Sequence, residues 1–299
     1  MVDTTMATLG SLAKLTCACC GNETVDRGGY CGHCQMPFDM SRAVNERGTP
    51  PRFVSILGRS GAGKTIYLGF LIDMLTKGTQ NLRGLPHGSF SLATQQETVY
   101  ALENRRFPEK TASESDSWQW VHCEVSHVKK PKRFVDIMTP DFAGEAIEQE
   151  IEYENTYPLI HSVVSRSEAL LILFDSNSAR DNGRDEDFFA MKLMSYIAKI
   201  QGKSNGRRWR KLRVPVAIVL TKADSCPEAM DNPTEFVAAN LPGLVQACER
   251  SFAQYDFFAA GVVGSSAIAV DGYGRRMHLP LHTEVRGIME PLEWIMKRV

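Results

Sequence analysis

Apolar and polar positions along the chain fall into two patterns that alternate. ALLILF (169–174) and VAIVL (216–220) are unbroken apolar runs of strand length, and FVSIL (53–57) is apolar apart from Ser55. Such runs mark parallel strands covered on both faces. Between 121 and 126 the pattern changes: Val121, Cys123 and Val125 alternate with His122, Glu124 and Ser126. One face there is apolar and the other polar, and His122 and His127 read as surface groups. With the turn KKPK (129–132) and the run RFVDIMT (133–139), this predicts an antiparallel hairpin at a sheet edge. The apolar run FFAAGVV (257–263) reads as a last strand, extending to Ser265, Ser266 and Ala267. Helical periodicity appears in ATQQETVYALENRR (93–106), in DEDFFAMKLMSYIAKIQ (185–201), and in the closing segment through Ile288, Leu292, Ile295 and Met296. The expected architecture is α/β, with a mostly parallel sheet and one antiparallel edge hairpin.

Composition changes this picture at one place. The formal net charge is −1, so no global charge calls for nucleic acid or an anionic membrane. The longest apolar runs fall well short of the roughly 18 residues of a membrane span. Asp3 stands where a signal peptide would be basic, and a cytoplasmic protein is expected. The place is the cysteines: five of the eight lie between 17 and 34, while Cys123, Cys226 and Cys248 are isolated. Cys17 with Cys20, and Cys31 with Cys34, form two C-x-x-C pairs. Paired turns of this kind present four thiolates to a tetrahedral zinc. Cys19 competes with Cys20 as ligand, and His33 is expected to be exposed. Gly32 is the residue expected to let the second turn curl under the metal. Gly28 and Gly29 suggest a hairpin between the pairs. The segmentation that follows is a flexible 1–16, a zinc ribbon over 17–38, a linker over 39–51 closed by Pro50 and Pro51, and one large domain over 52–299. The ribbon carries about as many acids as bases, which favours docking on protein over nucleic acid.

The large domain opens with FVSIL followed by Gly58-Arg59-Ser60-Gly61-Ala62-Gly63-Lys64-Thr65 and an apolar helix. This is G-x-x-x-x-G-K-[ST] in a strand–loop–helix setting, the cradle of a nucleoside triphosphate. Gly58, Ser60, Gly61, Ala62, Gly63, Lys64, Thr65 and Ile66 are the candidates to wrap the phosphates. Lys64 would neutralise the β- and γ-phosphates, and the Thr65 hydroxyl would ligate Mg²⁺. Further on, RFVDIMT delivers Asp141, with Gly144 three residues later. Asp141 can hold Mg²⁺ through water and the Gly144 N–H can touch the γ-phosphate. Glu145 follows, where many relatives of this pattern carry Gln. A switch threonine for Mg²⁺ is sought between the first helix and the hairpin. Thr111 is the choice, and Thr94 and Thr98 are poorer ones because they lie in a predicted helix. Finally VAIVL ends in Thr221-Lys222-Ala223-Asp224. A carboxylate there accepts from the guanine N1–H and 2-amino group, which adenine cannot offer. Lys222 would lay its stem along the base. Thr221, where Asn is usual, can still tie this loop to the phosphate loop. Ser266 and Ala267 are the candidates to bring an N–H to guanine O6.

In this order, phosphate loop, D-x-x-G, [T]-K-x-D and S-A, residues 52–299 resemble a TRAFAC-class, Ras-like GTPase domain. The DFAGE switch, the ribbon and the EPLEWIMKRV tail are similar to prokaryotic GTPases of the double-GTPase type. The resemblance implies GTP and GDP as ligands, Mg²⁺ at Thr65, Thr111 and Asp141, and a reaction carried by Lys64, Thr111, Gly144 and Glu145. It also implies membership of a multi-gene conflict (antiviral) system with partner proteins. Arg59 is a candidate arginine finger. The stretch GKSNGRRWRKLR (202–213) around Trp209 is dense in cations and reads as a solvated loop, with a nucleic-acid or acidic-partner contact as the alternative.

Overall fold

The computed structural model describes residues 14–25, 29–79, 81–108, 118–204, 211–270 and 276–299. Thr111 and residues 205–210 of the cationic stretch, Trp209 included, lie outside the described residues.

The chain begins with a small hairpin, β1 (Lys14–Thr16) and β2 (Glu23–Val25), then helix α1 (Phe38–Glu46). The large domain follows: β3 (Phe53–Gly58), α2 (Lys64–Lys77), β4 (Leu82–His87), α3 (Gly88–Glu103), β5 (Trp120–His127) and β6 (Lys130–Pro140). Next come α4 (Gly144–Glu152), α5 (Pro158–Arg166), β7 (Ala169–Asp175), α6 (Ser176–Asp181), α7 (Gly183–Ser204) and β8 (Val216–Thr221). A 3-10 turn, Ala223–Ser225, leads to α8 (Pro227–Asp231), α9 (Pro233–Asn240), α10 (Pro242–Ser251) and β9 (Tyr255–Ala259). The chain closes with β10 (Gly261–Val270), β11 (Arg276–Arg286) and α11 (Glu290–Met296).

Seven strands form one sheet in the order β4-β5-β6-β3-β7-β8-β9. The pairings from β6 through β9 are parallel, and β4-β5 and β5-β6 are antiparallel. The apolar runs behave as strands buried on both faces. Phe53 and Leu57 of β3 join Leu170, Ile172 and Phe174 of β7 and Val216, Ile218 and Leu220 of β8 in one core, capped by α4, α5, α7 and α10. Val54 and Ile56, with Leu171, Leu173 and Val219, face a second core under α2 and α11. The two-faced pattern puts the C-terminal ends of β3, β7 and β8 side by side, where a doubly wound sheet places its ligand.

Four expectations are corrected. Residues 39–51 are no plain linker: α1 fills most of them, with Phe38, Met40 and Val44 buried. The small hairpin encloses the first cysteine pair and does not lie between the pairs, and its first strand starts within the segment expected to be flexible. An edge strand, β4, precedes the predicted hairpin; its Pro86 is tolerated because an edge strand leaves one row of backbone groups unpaired. His122 is 1% exposed, not a surface group. Its ring stacks on His87 of β4, and its Nε2 donates to Asp136 Oδ1 at 2.9 Å. Arg47, just past α1, donates to both Asp136 oxygens at 2.9 Å and to Glu124 at 2.8 Å. The polar face of the hairpin is thus covered by the chain leaving the ribbon. Burial alone would raise the Asp136 pKa, but the hydrogen bonds from His122 and Arg47 hold it below its ordinary value. Among the described residues no helix is long and apolar enough to cross a membrane.

Candidate functional site

The cysteine cluster is the simpler of two sites. The Sγ atoms of Cys17 and Cys34 lie 3.5 Å apart, those of Cys20 and Cys31 3.7 Å apart, and all four fall within 4.8 Å of one another. A tetrahedron with Zn–S of about 2.3 Å has S···S edges of about 3.8 Å, so the donor set and its spacing fit zinc. Cys20 is in the cluster and the buried Cys19 is not, which decides between them. His33 is exposed, as expected. At the two cysteine turns the left-handed backbone positions are Gly21 (φ 74) and Gln35 (φ 55), each directly after the second cysteine of a pair; Gly32 is not one of them. There the turns close, through Gly21 N–H to Cys17 O and Gln35 N–H to Cys31 O. As thiols the group is ill-suited to its surroundings. Burial pushes the Cys20 thiol up to about 11, and hydrogen bonding to Cys34 followed by burial pushes Cys17 up. A divalent cation that displaces those protons removes the cost.

The second site is a cavity of about 870 Å³ at the C-terminal ends of β3, β7 and β8. Ser60, Gly61, Gly63, Lys64, Thr65 and Ile66 line it, with Gly144, Glu145, Thr221, Lys222 and Asp224. The phosphate loop is shaped by its glycines. A Cβ at Gly58 would meet the Leu173 carbonyl oxygen at 2.7 Å, and Gly61 and Gly63 have φ of 77 and 74. Ala62 is buried behind the loop. Lys64 Nζ donates to the carbonyls of Gly58 (3.0 Å) and Arg59 (3.1 Å). The Thr65 hydroxyl donates to Asp141 Oδ2 at 2.9 Å, so two of the residues expected at Mg²⁺ are neighbours.

Gly144 packs on the phosphate loop itself: a Cβ there would overlap the Ser60 backbone. A glycine is needed for the D-x-x-G turn to approach this closely. The Ser60 hydroxyl then donates to Glu145 Oε1 at 2.8 Å. At the other wall, the Thr221 hydroxyl lies 2.9 Å from the Ala62 carbonyl oxygen and 3.0 Å from that of Phe174, its one proton shared between them. The threonine therefore makes the tie to the phosphate loop expected of it. Lys222 adopts φ 55, and its Nζ pairs with Asp175 Oδ2 at 2.6 Å. Partial burial raises the Asp224 pKa, opposed by its own N–H and that of Val262.

Ser266 and Ala267 are not at this site. The apolar run containing them breaks after β9, and both lie within β10, paired to Pro280 and Leu279 of β11. The segment that meets Asp224 is Ala260–Val262: a Cβ at Gly261 would come within 2.6 Å of Asp224 Oδ1. Arg59 does not line the cavity. Sequence reasoning missed Asp175, Asn177, Arg180, Phe107 and Gly261, which do. The signal for Asp175 was available, since it ends the run ALLILFD and pairs in register with Thr221. Its side chain caps α6 by accepting from the Asn177 N–H at 2.9 Å.

A comparison with proteins of curated function gives no match. Among solved structures, the chain is similar to the Arl6 BBS3 small GTPase from Trypanosoma brucei with bound GppNp, at 12% identity over 83% of this chain and 96% of that one, TM-score 0.39. It is also similar to a dimerization-deficient Toc33 from Arabidopsis thaliana, at 16% identity over 87% of this chain and 88% of that one, TM-score 0.39. At the level of sequence families, residues 52–270 match Double-GTPase 2. That match spans most of the chain and includes the phosphate loop, the D-x-x-G turn and the T-K-x-D loop, so the protein belongs to the Double-GTPase 2 family of P-loop GTPases.

Proposed function

We propose that the protein is a GTP-operated switch, slow to hydrolyse on its own and accelerated by a protein partner. The observation that supports a guanine-specific reading most is Asp224, fixed beside Gly261 at the end of β8 and facing the cavity that the phosphate loop also lines. Loop N–H groups and Lys64 bind the β- and γ-phosphates. Thr65 and Asp141 fit Mg²⁺, with Thr111 as the switch ligand; the ion supplies positive charge to the phosphate oxygens. Asp224 accepts from guanine N1–H and the 2-amino group. An N–H of the Ala260–Val262 segment takes the place first assigned to Ser266 and Ala267. In the reaction, water attacks the γ-phosphorus in line. The bond to the β–γ bridging oxygen breaks with its electron pair going to GDP, and the water's proton ends on phosphate.

The slow rate follows from Glu145. An ionised carboxylate accepts hydrogen bonds and cannot donate one to the γ-phosphate, and the Ser60 hydroxyl already engages it. Arg59 is committed to Glu148 and Glu186 and supplies no charge to the phosphates. Turnover by the isolated chain is expected on the order of 10⁻⁴–10⁻² per second, with a partner supplying positive charge raising it ~10³-fold or more. Zinc at Cys17, Cys20, Cys31 and Cys34 makes the ribbon a docking module for protein, and a place in a prokaryotic conflict system fits this pairing of switch and docking module. Single-turnover hydrolysis of labelled GTP, with ATP beside it, tests the reading. Turnover near 1 per second by the isolated chain would contradict partner dependence.

A further inference from the structure

Arg59 belongs to the phosphate loop, yet its side chain leaves the cavity. Its Nε donates to Glu148 Oε1 at 3.1 Å, and Nη1 donates to Glu186 Oε2 at 3.1 Å. Glu148 sits one turn into α4, the helix that begins at Gly144, and Glu186 sits on α7, 3% exposed. The guanidinium carbon stands 5.4 Å from the centre of the Phe189 ring, also on α7. Three elements distant in sequence meet at one cation.

We propose that Arg59 is a positioning residue that bridges Glu148 of α4 to Glu186 of α7 and so fixes Gly144 and Glu145 over the phosphate loop. The proposal rests on the reading of the cavity as a GTPase site. Arg59 is a firm anchor because its own backbone is held: its carbonyl accepts from Lys64 Nζ and from the Ala62 N–H. Without the cation, two carboxylates would face each other, one of them buried without compensation, and like charges would part α4 from α7. The opening would be confined to the start of α4. Its far end has a separate tie, since the buried Glu150 accepts from the N–H groups of Asn155 (3.0 Å) and Tyr157 (2.7 Å) and from the Tyr196 hydroxyl on α7 (2.7 Å). The half of the helix that Arg59 governs is the half that carries Gly144 and Glu145. A direct role on the phosphates would require both ion pairs to break first, so the bridge and an arginine finger predict different mutant behaviour.

The experiment measures three quantities on the full chain: single-turnover GTP hydrolysis, Mg·GDP affinity, and amide hydrogen exchange of 144–152 without nucleotide. With Arg59→Ala, hydrolysis per bound GTP should fall about 10- to 100-fold, as small misplacements of reacting groups do, while GDP affinity changes less than about threefold. Glu148→Ala should lower the rate in the same direction without touching the loop, and the double variant should be no slower than Arg59→Ala alone. Arg59→Lys, which reaches one carboxylate but not both, should recover part of the rate. Amides 144–148 should exchange faster in Arg59→Ala, with 149–152 unchanged. A rate loss in Arg59→Ala that Glu148→Ala does not share, with exchange unchanged, would overturn the bridge in favour of direct contact with phosphate. A proportional loss of GDP affinity would overturn it in favour of loop integrity. Altered exchange in a chain whose wild type binds neither GTP nor GDP would keep the bridge and remove the GTPase reading beneath it.

Discussion

The ribbon and the seven-stranded sheet achieve order by different means. The sheet buries β3, β7 and β8 almost completely on both faces, with Leu57, Leu171, Ile172, Val219 and Leu220 at 0% exposure. Each such side chain contributes about 1.5–3 kcal/mol through burial, and dozens of them act together. The ribbon has two three-residue strands and a nine-residue helix, and its interior is made of four clustered thiols, Met36, Phe38, Met40 and Val44. So small a segment buries little apolar surface within itself, and a metal held by the four thiols would offset much of the chain entropy of ordering it. The two regions are joined by apolar packing, since Met36, Met40 and Val44 belong to the same buried cluster as Phe53, Leu57 and Met138, and by a charge pair between Arg47 beyond α1 and Asp136 on the sheet, the latter 0% exposed.

Removing the metal should separate the two regions most sharply. Structural zinc binding is worth about 10–16 kcal/mol in comparable small units. Cys31→Ser with Cys34→Ser should abolish stoichiometric zinc by elemental analysis and raise hydrogen exchange across 14–46, while β3, β7 and β8 keep their protection. Equal loss of protection in the sheet would show that the ribbon is part of its foundation.

A smaller effect is expected at the joint. Arg47→Ala leaves the buried Asp136 carboxylate with His122 as its remaining side-chain partner, and breaking a buried pair in this way costs about 3 kcal/mol. Thermal unfolding measures it. The pH dependence sharpens the point. The Asp136 pKa is depressed in the folded chain, below its ordinary 3.8. Its contribution is therefore complete above that value and is lost as pH falls through the folded pKa. With Arg47 gone, the folded pKa moves back toward its ordinary value, so the share of acid destabilisation that Asp136 contributes should shrink; an unchanged acid limb would show that the pair contributes nothing.

The smallest effect lies within the sheet. Thr221→Val removes the hydroxyl that reaches Ala62 and Phe174 and should cost about 1–2 kcal/mol by leaving a buried acceptor short of a donor. The same variant should speed GDP release, read by fluorescence of a labelled nucleotide. Unchanged release would separate the tie from nucleotide retention.

How much of this was legible in the sequence depended on whether the signal was local. The phosphate loop was, because its glycines, lysine and threonine are contiguous and flanked by apolar runs. The clustering of Cys17, Cys20, Cys31 and Cys34 was too, because the two C-x-x-C pairs are local, with Cys19 the one competitor to Cys20. Helix α1 was obscured: Met40 and Val44 have helical spacing, but Gly48, Pro50 and Pro51 directly after them dominate so short a segment. Strand β4 was hidden by Gly84 and Pro86; the glycine is needed because a Cβ there would meet Leu75 Cβ at 2.6 Å and Cys123 Sγ at 2.8 Å. The run FFAAGVVGSSAIA looks like one strand because apolarity does not mark the turn at Gly261, and so Ser266 and Ala267 were placed too near the cavity. The burial of His122 and the engagement of Arg59 had no local signal at all, since their partners lie on other elements.

The central claim is that Asp224 reads guanine, and nucleotide affinity in the wild type and in Asp224→Asn tests it most directly. The wild type should bind GTP over ATP by about 100-fold or more, because a carboxylate that adenine would cover is left unpaired. Asp224→Asn should lose that preference and gain xanthosine triphosphate, whose C2 oxygen accepts from the new amide N–H while N1–H still donates to the amide oxygen. Equal affinity of the wild type for GTP and ATP, or an Asp224→Asn variant with unaltered base preference, would contradict the account.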